Sequence, residues 1–119
     1  MRDTPTDECL FCRIVAGVEP TELVYQDADV VAFKDKFPQA PVHVLVVPRL
    51  HRPSVDSLSR DDDELLGRCF ETARQVAAGA GIEEGYRIAT NVGAQGGQAI
   101  FHLHFHVIGG RQLGHIDGA

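Results

Sequence analysis

The 119-residue chain has no Trp, one Met and three Cys, and its 11 Lys+Arg are outnumbered by 17 Asp+Glu. Three Cys are an odd number and too few for the disulfide framework of a small secreted protein. A formal net charge of −6 leaves no cluster of Lys and Arg able to neutralise a run of phosphates, so no nucleic-acid partner is expected. Long apolar runs are also missing. The longest, residues 41–48, is interrupted by His43 and falls far short of the roughly 18–20 residues of a membrane helix, so no membrane partner is expected. The first residues, Met1-Arg2-Asp3-Thr4-Pro5-Thr6-Asp7-Glu8, are acidic and polar, unlike a secretory leader, and a cytoplasmic location is the expectation. Repeats, low-complexity tracts and linkers are absent too. The length suits one domain, read as residues 9–113 between a flexible start at 1–8 and a short tail at 114–119.

What is present is histidine, six in all, four of them (His43, His102, His104, His106) near apolar stretches. Residues 11–16 suit a short helix, stopped by Gly17 and Pro20. Residues 22–26 and 30–34 are β-rich and flank Asp27-Ala28-Asp29, which reads as a hairpin. Residues 37–41, with two prolines, form a loop, and 42–48 a buried strand. One long helix is expected from Ser59, with Asp62 completing a capping box and Asp61–Glu64 complementing the helix dipole. Leu65, Leu66, Cys69, Phe70, Ala73, Val76, Ala77 and Ala80 make its apolar face, and Gly79 and Gly81 end it. The acidic run reads as a solvated helix start, and Cys69 as core packing. Strands are expected at 86–92 and 101–108, separated by the loop 93–98. The fold class is therefore α+β, a mainly antiparallel sheet with one long helix and a short N-terminal helix.

The run His102-Leu103-His104-Phe105-His106-Val107-Ile108 carries the chemistry. Side chains of a strand alternate between faces, so the three His share one face and Leu103, Phe105 and Val107 the other. Thr, Lys or Glu would serve a water-facing surface as well, which makes three His in a row hard to explain as decoration. Three imidazoles along a strand suit a zinc site, or else a nucleophile with an acid/base partner. The glycine-rich loop just before them favours the second, since such a loop can offer backbone N–H groups to an anion. It lacks the Gly-Lys-Ser/Thr of a P-loop, and none of Ser54, Ser57 and Ser59 lies in a Gly-x-Ser-x-Gly elbow.

These residues resemble the histidine-triad (HIT) superfamily, whose signature alternates His with apolar residues as residues 102–108 do. Phe33-Lys34-Asp35, Pro38-Gln39-Ala40-Pro41-Val42-His43, Val46-Val47-Pro48, Asn91, Gly96-Gly97-Gln98 and Gly109-Gly110-Arg111 fall in the family's order, over residues 9–113. The nearest branch is Hint, the nucleotide-binding hydrolases. The resemblance implies a histidine-triad fold, purine nucleotide binding and cleavage at the α-phosphate of nucleoside 5′-phosphoramidates, through a covalent nucleotidyl-histidine. It implies His104 as nucleophile, His106 beside the leaving group and His43 completing the catalytic set. It further implies Phe33, Asp35, Asn91, Gly97, Gln98 and Ala99 as nucleotide-binding positions together with His104 and His106, no organic cofactor, and a homodimer paired through a composite sheet and the long-helix region.

Two other functions stay open: a purine-nucleotide sensor with little turnover, and a dinucleoside polyphosphate hydrolase. The chain departs from close relatives at Ala99, where Ser or Thr is frequent, at Lys36-Phe37, and in a tail without an aromatic. Cys9-x-x-Cys12 reads by itself as a redox pair, half a zinc site or two buried thiols. The resemblance to bacterial histidine-triad proteins implies a structural Zn²⁺ held by Cys9, Cys12, His51 and His102. His115 is left uncommitted.

Overall fold

The computed structural model describes residues 8–116; residues 1–7 of the expected flexible start and 117–119 of the expected tail lie outside it. A short helix α1 (Leu10–Val15) leads into strands β1 (Leu23–Gln26), β2 (Val30–Lys34) and β3 (Val42–Pro48). The long helix α2 (Asp63–Gly79) follows, then β4 (Tyr86–Ala89) and β5 (Phe105–Gly109). All neighbouring strands run antiparallel in one five-stranded sheet of order β1-β2-β3-β5-β4. The fold is α+β, as its element pattern requires, and no helix among the described residues is long and apolar enough to cross a membrane.

Each face of the sheet is covered by a helix. Val30, Ala32, Val44, Val46, Leu103, Phe105 and Val107 pack with Cys69, Ala73, Val76 and Ala77 of α2. On the other face Val31, Phe33, Leu45 and Val47 pack with Phe11 and Ile14 of α1. Burial on both sides explains why β2 and β3 read as continuous apolar runs rather than alternating ones. The hairpin turn forms at Asp27-Ala28-Asp29. There the Asp27 carboxylate accepts from the backbone N–H of Asp29 at 2.8 Å and of Val30 at 2.9 Å. Burial pushes that carboxyl up, but the Tyr25 hydroxyl, those two N–H groups and Arg68 outweigh it and bring the pKa down to about 2. Cys69 is fully buried and desolvation takes its thiol up to about 12, consistent with a packing residue.

Three element boundaries differ from the sequence reading by more than one residue. Ser59 does cap, with Asp62 returning to its N–H at 3.0 Å, but Arg60–Asp62 form a 3₁₀ turn and α2 proper starts at Asp63. β4 ends at Ala89 rather than residue 92, because Thr90 turns its hydroxyl to the His104 carbonyl at 2.7 Å. β5 starts at Phe105 rather than residue 101, so His102 and His104 lie outside the ladder. Their backbone groups have other partners: Leu103 N–H donates to the Arg52 carbonyl at 2.6 Å, and the His102 carbonyl accepts from the His104 ring. The approach stays extended enough for side-chain alternation to survive.

Candidate active site

Alternation along residues 102–107 puts Leu103, Phe105 and Val107 into the α2 core. The three His turn to the α1 face, where two are covered and one is half-buried: His102 is fully buried, His104 is 8 % exposed and His106 is intermediate. Period two on β3 places His43 with Leu45 and Val47 on this same face. His43 pairs with Ile108 in the ladder, which makes His106 its diagonal neighbour.

Hydrogen bonds then assign a tautomer to each ring. The His104 Nδ1 lies 2.7 Å from the His102 carbonyl, an atom that can only accept, so Nδ1–H donates and Nε2 keeps its lone pair. The Gln39 backbone N–H donates to His43 Nδ1 at 3.0 Å, which puts the proton of neutral His43 on Nε2. That Nε2–H has two acceptors, His106 Nδ1 at 2.9 Å and Asp35 Oδ2 at 3.3 Å. His106, accepting at Nδ1, carries its own proton on Nε2. The His104 and His106 rings stand 5.1 Å apart.

Burial holds these imidazoles neutral. It lowers the pKa of His104 against the opposing pull of its hydrogen bond to the His102 carbonyl and of Asp35. Burial, then the neighbouring His104 and His43 rings, take His106 down to about 4 despite Asp35. His43 is lowered by burial as well, again with Asp35 opposing.

A cavity of about 520 Å³ opens beside the pair His104 and His106. Its apolar lining is made by Leu10, Phe11 and Ile14 of α1 with Phe33 and Leu45 of the sheet, and Asp35, Asn91, Gly97 and Ala99 add the strand-end and loop part of the lining. The structure thus brings His104, His106, Phe33, Asp35, Asn91, Gly97 and Ala99 together on one cavity, with His43 behind His106. Gln98 is not among the lining residues. Its carboxamide is buried and committed to the Gly93 N–H at 2.9 Å and the Pro53 and Ile100 carbonyls at 2.6 and 3.1 Å.

The glycine loop also differs from the cradle expected of it. The N–H groups of Gly96, Gly97 and Gln98 bond to carbonyls within the loop, and that of Gly93 to Gln98. The glycines matter for conformation, with Gly93 and Gly97 at φ +74° and +89°, where a side chain is strained. Ala99, exposed at the cavity wall, has an N–H with no hydrogen-bond partner among the described residues. Sequence reasoning gave no role to Leu10, Phe11, Ile14 or Leu45 and singled out Lys36 and Phe37 only as departures from close relatives, yet all six line the cavity. Leu45 was reachable by counting two residues on from His43. The α1 residues were not, because nothing local says which sheet face that helix covers.

A second cluster adjoins the first. One donor atom each from Cys9, Cys12, His51 and His102 lie within 4.8 Å of one another, an arrangement that could hold a metal ion. His102 Nε2–H donates to the Pro48 carbonyl at 2.9 Å, which turns the lone pair on Nδ1 toward the two sulfurs, each 3.5 Å away. His51 Nδ1 lies 3.1 Å from the Cys12 sulfur. Asp35, His43 and His106 also meet within 4.8 Å. There, however, the His43 proton occupies the space between the three, and the contact reads as a proton relay.

A sheet whose one face carries these aligned imidazoles over an apolar cavity defines a histidine-triad fold. The chain belongs to the HIT domain family, which it matches over residues 16–113. It is 41 % identical over 109 residues to the purine nucleoside phosphoramidase of Escherichia coli K12, covering 91 % of this chain and 92 % of that one. Among solved structures it is similar to a HIT family hydrolase from Legionella pneumophila, with a TM-score of 0.91 and 40 % identity over 93 % of this chain and all of the other. A HIT family hydrolase from Clostridium thermocellum superimposes with a TM-score of 0.89 at 39 % identity, over 92 % and 96 % of the two chains.

Proposed function

We propose that the protein is a hydrolase of purine nucleoside 5′-phosphoramidates, acting at the α-phosphate through a nucleotidyl-histidine intermediate. The observation that carries this reading is the hydrogen bond from His104 Nδ1 to the His102 carbonyl, which leaves the Nε2 lone pair on a ring that lines the cavity with His106. A neutral imidazole in this tautomer can act as a nucleophile. The Escherichia coli relative's activity and the family match support the same substrate class.

In the proposed reaction the purine lies against Phe11, Ile14, Phe33 and Leu45, and Asp35 accepts from the ribose. His104 Nε2 attacks the α-phosphorus; a P–N bond to His104 forms as the bond to the leaving amine breaks. The incoming phosphate anion favours the imidazolium form at His106; the proton taken up at its Nδ1 replaces the bond from His43, whose Nε2–H then rests on its other acceptor, Asp35 Oδ2. His106 Nε2 gives its proton to the departing amine. Water then attacks the phosphorus of the intermediate, returns a proton to His106, and releases the nucleoside monophosphate and free His104. In this reaction the Ala99 N–H would stabilise charge on the phosphoryl oxygens, a reading supported by its place in the cavity lining.

The four-residue cluster fits a structural zinc. Tetrahedral zinc with bonds of ~2.3 Å to sulfur and ~2.0–2.1 Å to nitrogen separates its ligands by ~3.3–3.8 Å. The Cys12, His51 and His102 donors already stand 3.1–3.5 Å apart. Cys9, Cys12, His51 and His102 would hold it, and it would supply a fixed anchor for α1, no part of the reaction passing through it. A second copy of the chain would cover β4 at the sheet edge and Phe70, 42 % exposed on α2, in the proposed homodimer.

The deciding experiment compares wild type and His104→Ala on an adenosine 5′-phosphoramidate, a diadenosine polyphosphate and AMP. Turnover of the phosphoramidate that the substitution abolishes supports the reading. AMP binding without turnover of either substrate would assign a sensor, and turnover of the polyphosphate alone would assign the other hydrolase.

A further inference from the structure

The Cys/His cluster and the cavity are separate groups of residues, yet one six-residue helix belongs to both. Cys9 caps α1, its sulfur accepting from the Cys12 N–H at 3.4 Å, and Cys12 lies within the helix. Between these two sulfurs in sequence is Phe11, 3 % exposed. The Phe11 ring stands edge-on to His104 at 5.0 Å, to Phe33 at 5.4 Å and to His102 at 6.0 Å. Phe11 is thus in contact with the lone-pair imidazole, with a cavity wall and with a member of the metal cluster. A helix of this length has no stability of its own in water and takes its position from what it is docked to. His51 and His102, which meet its two sulfurs, come from the loop after β3 and the approach to β5.

We propose that metal binding and nucleotide binding are thermodynamically coupled through α1, with Phe11 as the residue that touches both sites. The inference rests on the nucleotide reading given above and adds a linkage to it. A metal bound by Cys9 and Cys12 fastens α1 to His51 and His102. That holds Phe11, Leu10 and Ile14 as a finished cavity wall and keeps the Phe11 ring against His104. Without the metal, α1 samples undocked states, and a nucleotide must first recover the docked one, which lowers its apparent affinity by the docked fraction. Linkage makes the effect reciprocal: the factor by which metal strengthens nucleotide binding is the factor by which nucleotide strengthens metal binding.

The test uses the full chain, loaded with zinc or stripped by a chelator, with AMP as ligand. AMP affinity is measured by calorimetry on both forms, and zinc affinity by chelator competition with and without saturating AMP. A loss of AMP affinity of about 10-fold or more on stripping, matched by an equal gain in zinc affinity with AMP, is the expected result. Equal AMP affinity in the two forms overturns the proposal. If stripping unfolds the chain, the competition arm decides by itself, since it starts from the loaded protein; zinc affinity indifferent to AMP overturns the proposal. Phe11→Leu should keep its zinc affinity while losing AMP affinity and the reciprocal shift, and Phe11→Tyr should restore both. A Phe11→Leu protein with the full reciprocal shift removes Phe11 from the role.

Hydrogen exchange separates this proposal from the nucleotide reading. Should the loaded protein bind no purine nucleotide, that reading falls. The coupling of metal to site is then decided by whether zinc protects the α1 amides and moves the His104 ring resonances; unchanged amides and resonances overturn it.

Discussion

His43 Nε2 and His106 Nδ1 lie 2.9 Å apart, joined across two neighbouring strands by a hydrogen bond whose direction is set by the Gln39 N–H behind it. That backbone donor occupies His43 Nδ1, so the proton must sit on Nε2 and point at His106. His106, which lines the cavity, in turn carries its own proton on Nε2. A backbone amide behind His43 thereby determines which nitrogen of His106 holds the proton.

His43 should therefore act by orienting His106 and not by touching the substrate. His43→Ala is expected to lower kcat for an adenosine 5′-phosphoramidate by about 10²-fold with a smaller change in KM. The acidic limb of the kcat profile should move as well, because the partner that shares the proton on His106 is gone. A variant with unaltered kcat and profile would remove His43 from the relay.

The proposed intermediate is directly observable. Acid-labile, base-stable nucleotidyl protein should accumulate within the first turnover and map to the peptide carrying His104. His104→Ala should show no adduct and about 10³-fold or lower turnover. An adduct on another residue would relocate the nucleophile.

Acid should destabilise the fold through the buried imidazoles. His106 falls from 6.5 to about 4 on folding, so between those values the unfolded chain binds a proton that the folded one refuses. Its contribution is complete above pH 6.5 and is lost as pH drops toward 4. After solvent screening of this half-buried ring, it amounts to about 1–2 kcal/mol. Thermal melts from pH 7 to 4 should show a shallower fall for His106→Gln than for wild type. The metal cluster is present in both proteins and cancels in the difference.

Removing one sulfur should weaken the proposed zinc site without touching the His43, His104 and His106 rings. Cys9→Ser is expected to bind zinc at least about 10-fold more weakly and to melt at a lower temperature, checked by metal content per chain and calorimetry. Wild-type protein that carries no zinc after purification with the metal present would end the zinc assignment.

Particular residues show how far the sequence could be read. Alternation in residues 102–108 correctly separated Leu103, Phe105 and Val107 from the three His, because side-chain direction in extended chain follows from local backbone geometry. The hairpin at Asp27 and the cap at Ser59 were legible for the same reason, each resting on side-chain bonds to residues two or three positions away. Strand ends were less so. β5 stops short of His104 because Thr90 and Arg52, distant in sequence, take its backbone groups. The glycine-rich composition of residues 93–98 predicts a row of N–H donors, yet most of those donors close on the loop itself.

What the sequence determined by itself was the inventory: which residues could be nucleophile, relay or ligand, and which side of a strand each would occupy. These depend on residue chemistry and on a two-residue period, both local. What only the tertiary structure decided was the assignment of protons and partners. Cys9 and His102 are 93 positions apart, and His43 and His106 are 63 apart, so their meeting depends on strand order and on α1 settling over the histidine face. A neutral imidazole has one proton and two nitrogens. Which nitrogen attacks, donates or binds a metal is settled only by the acceptor placed behind the ring, and folding alone brings that acceptor there.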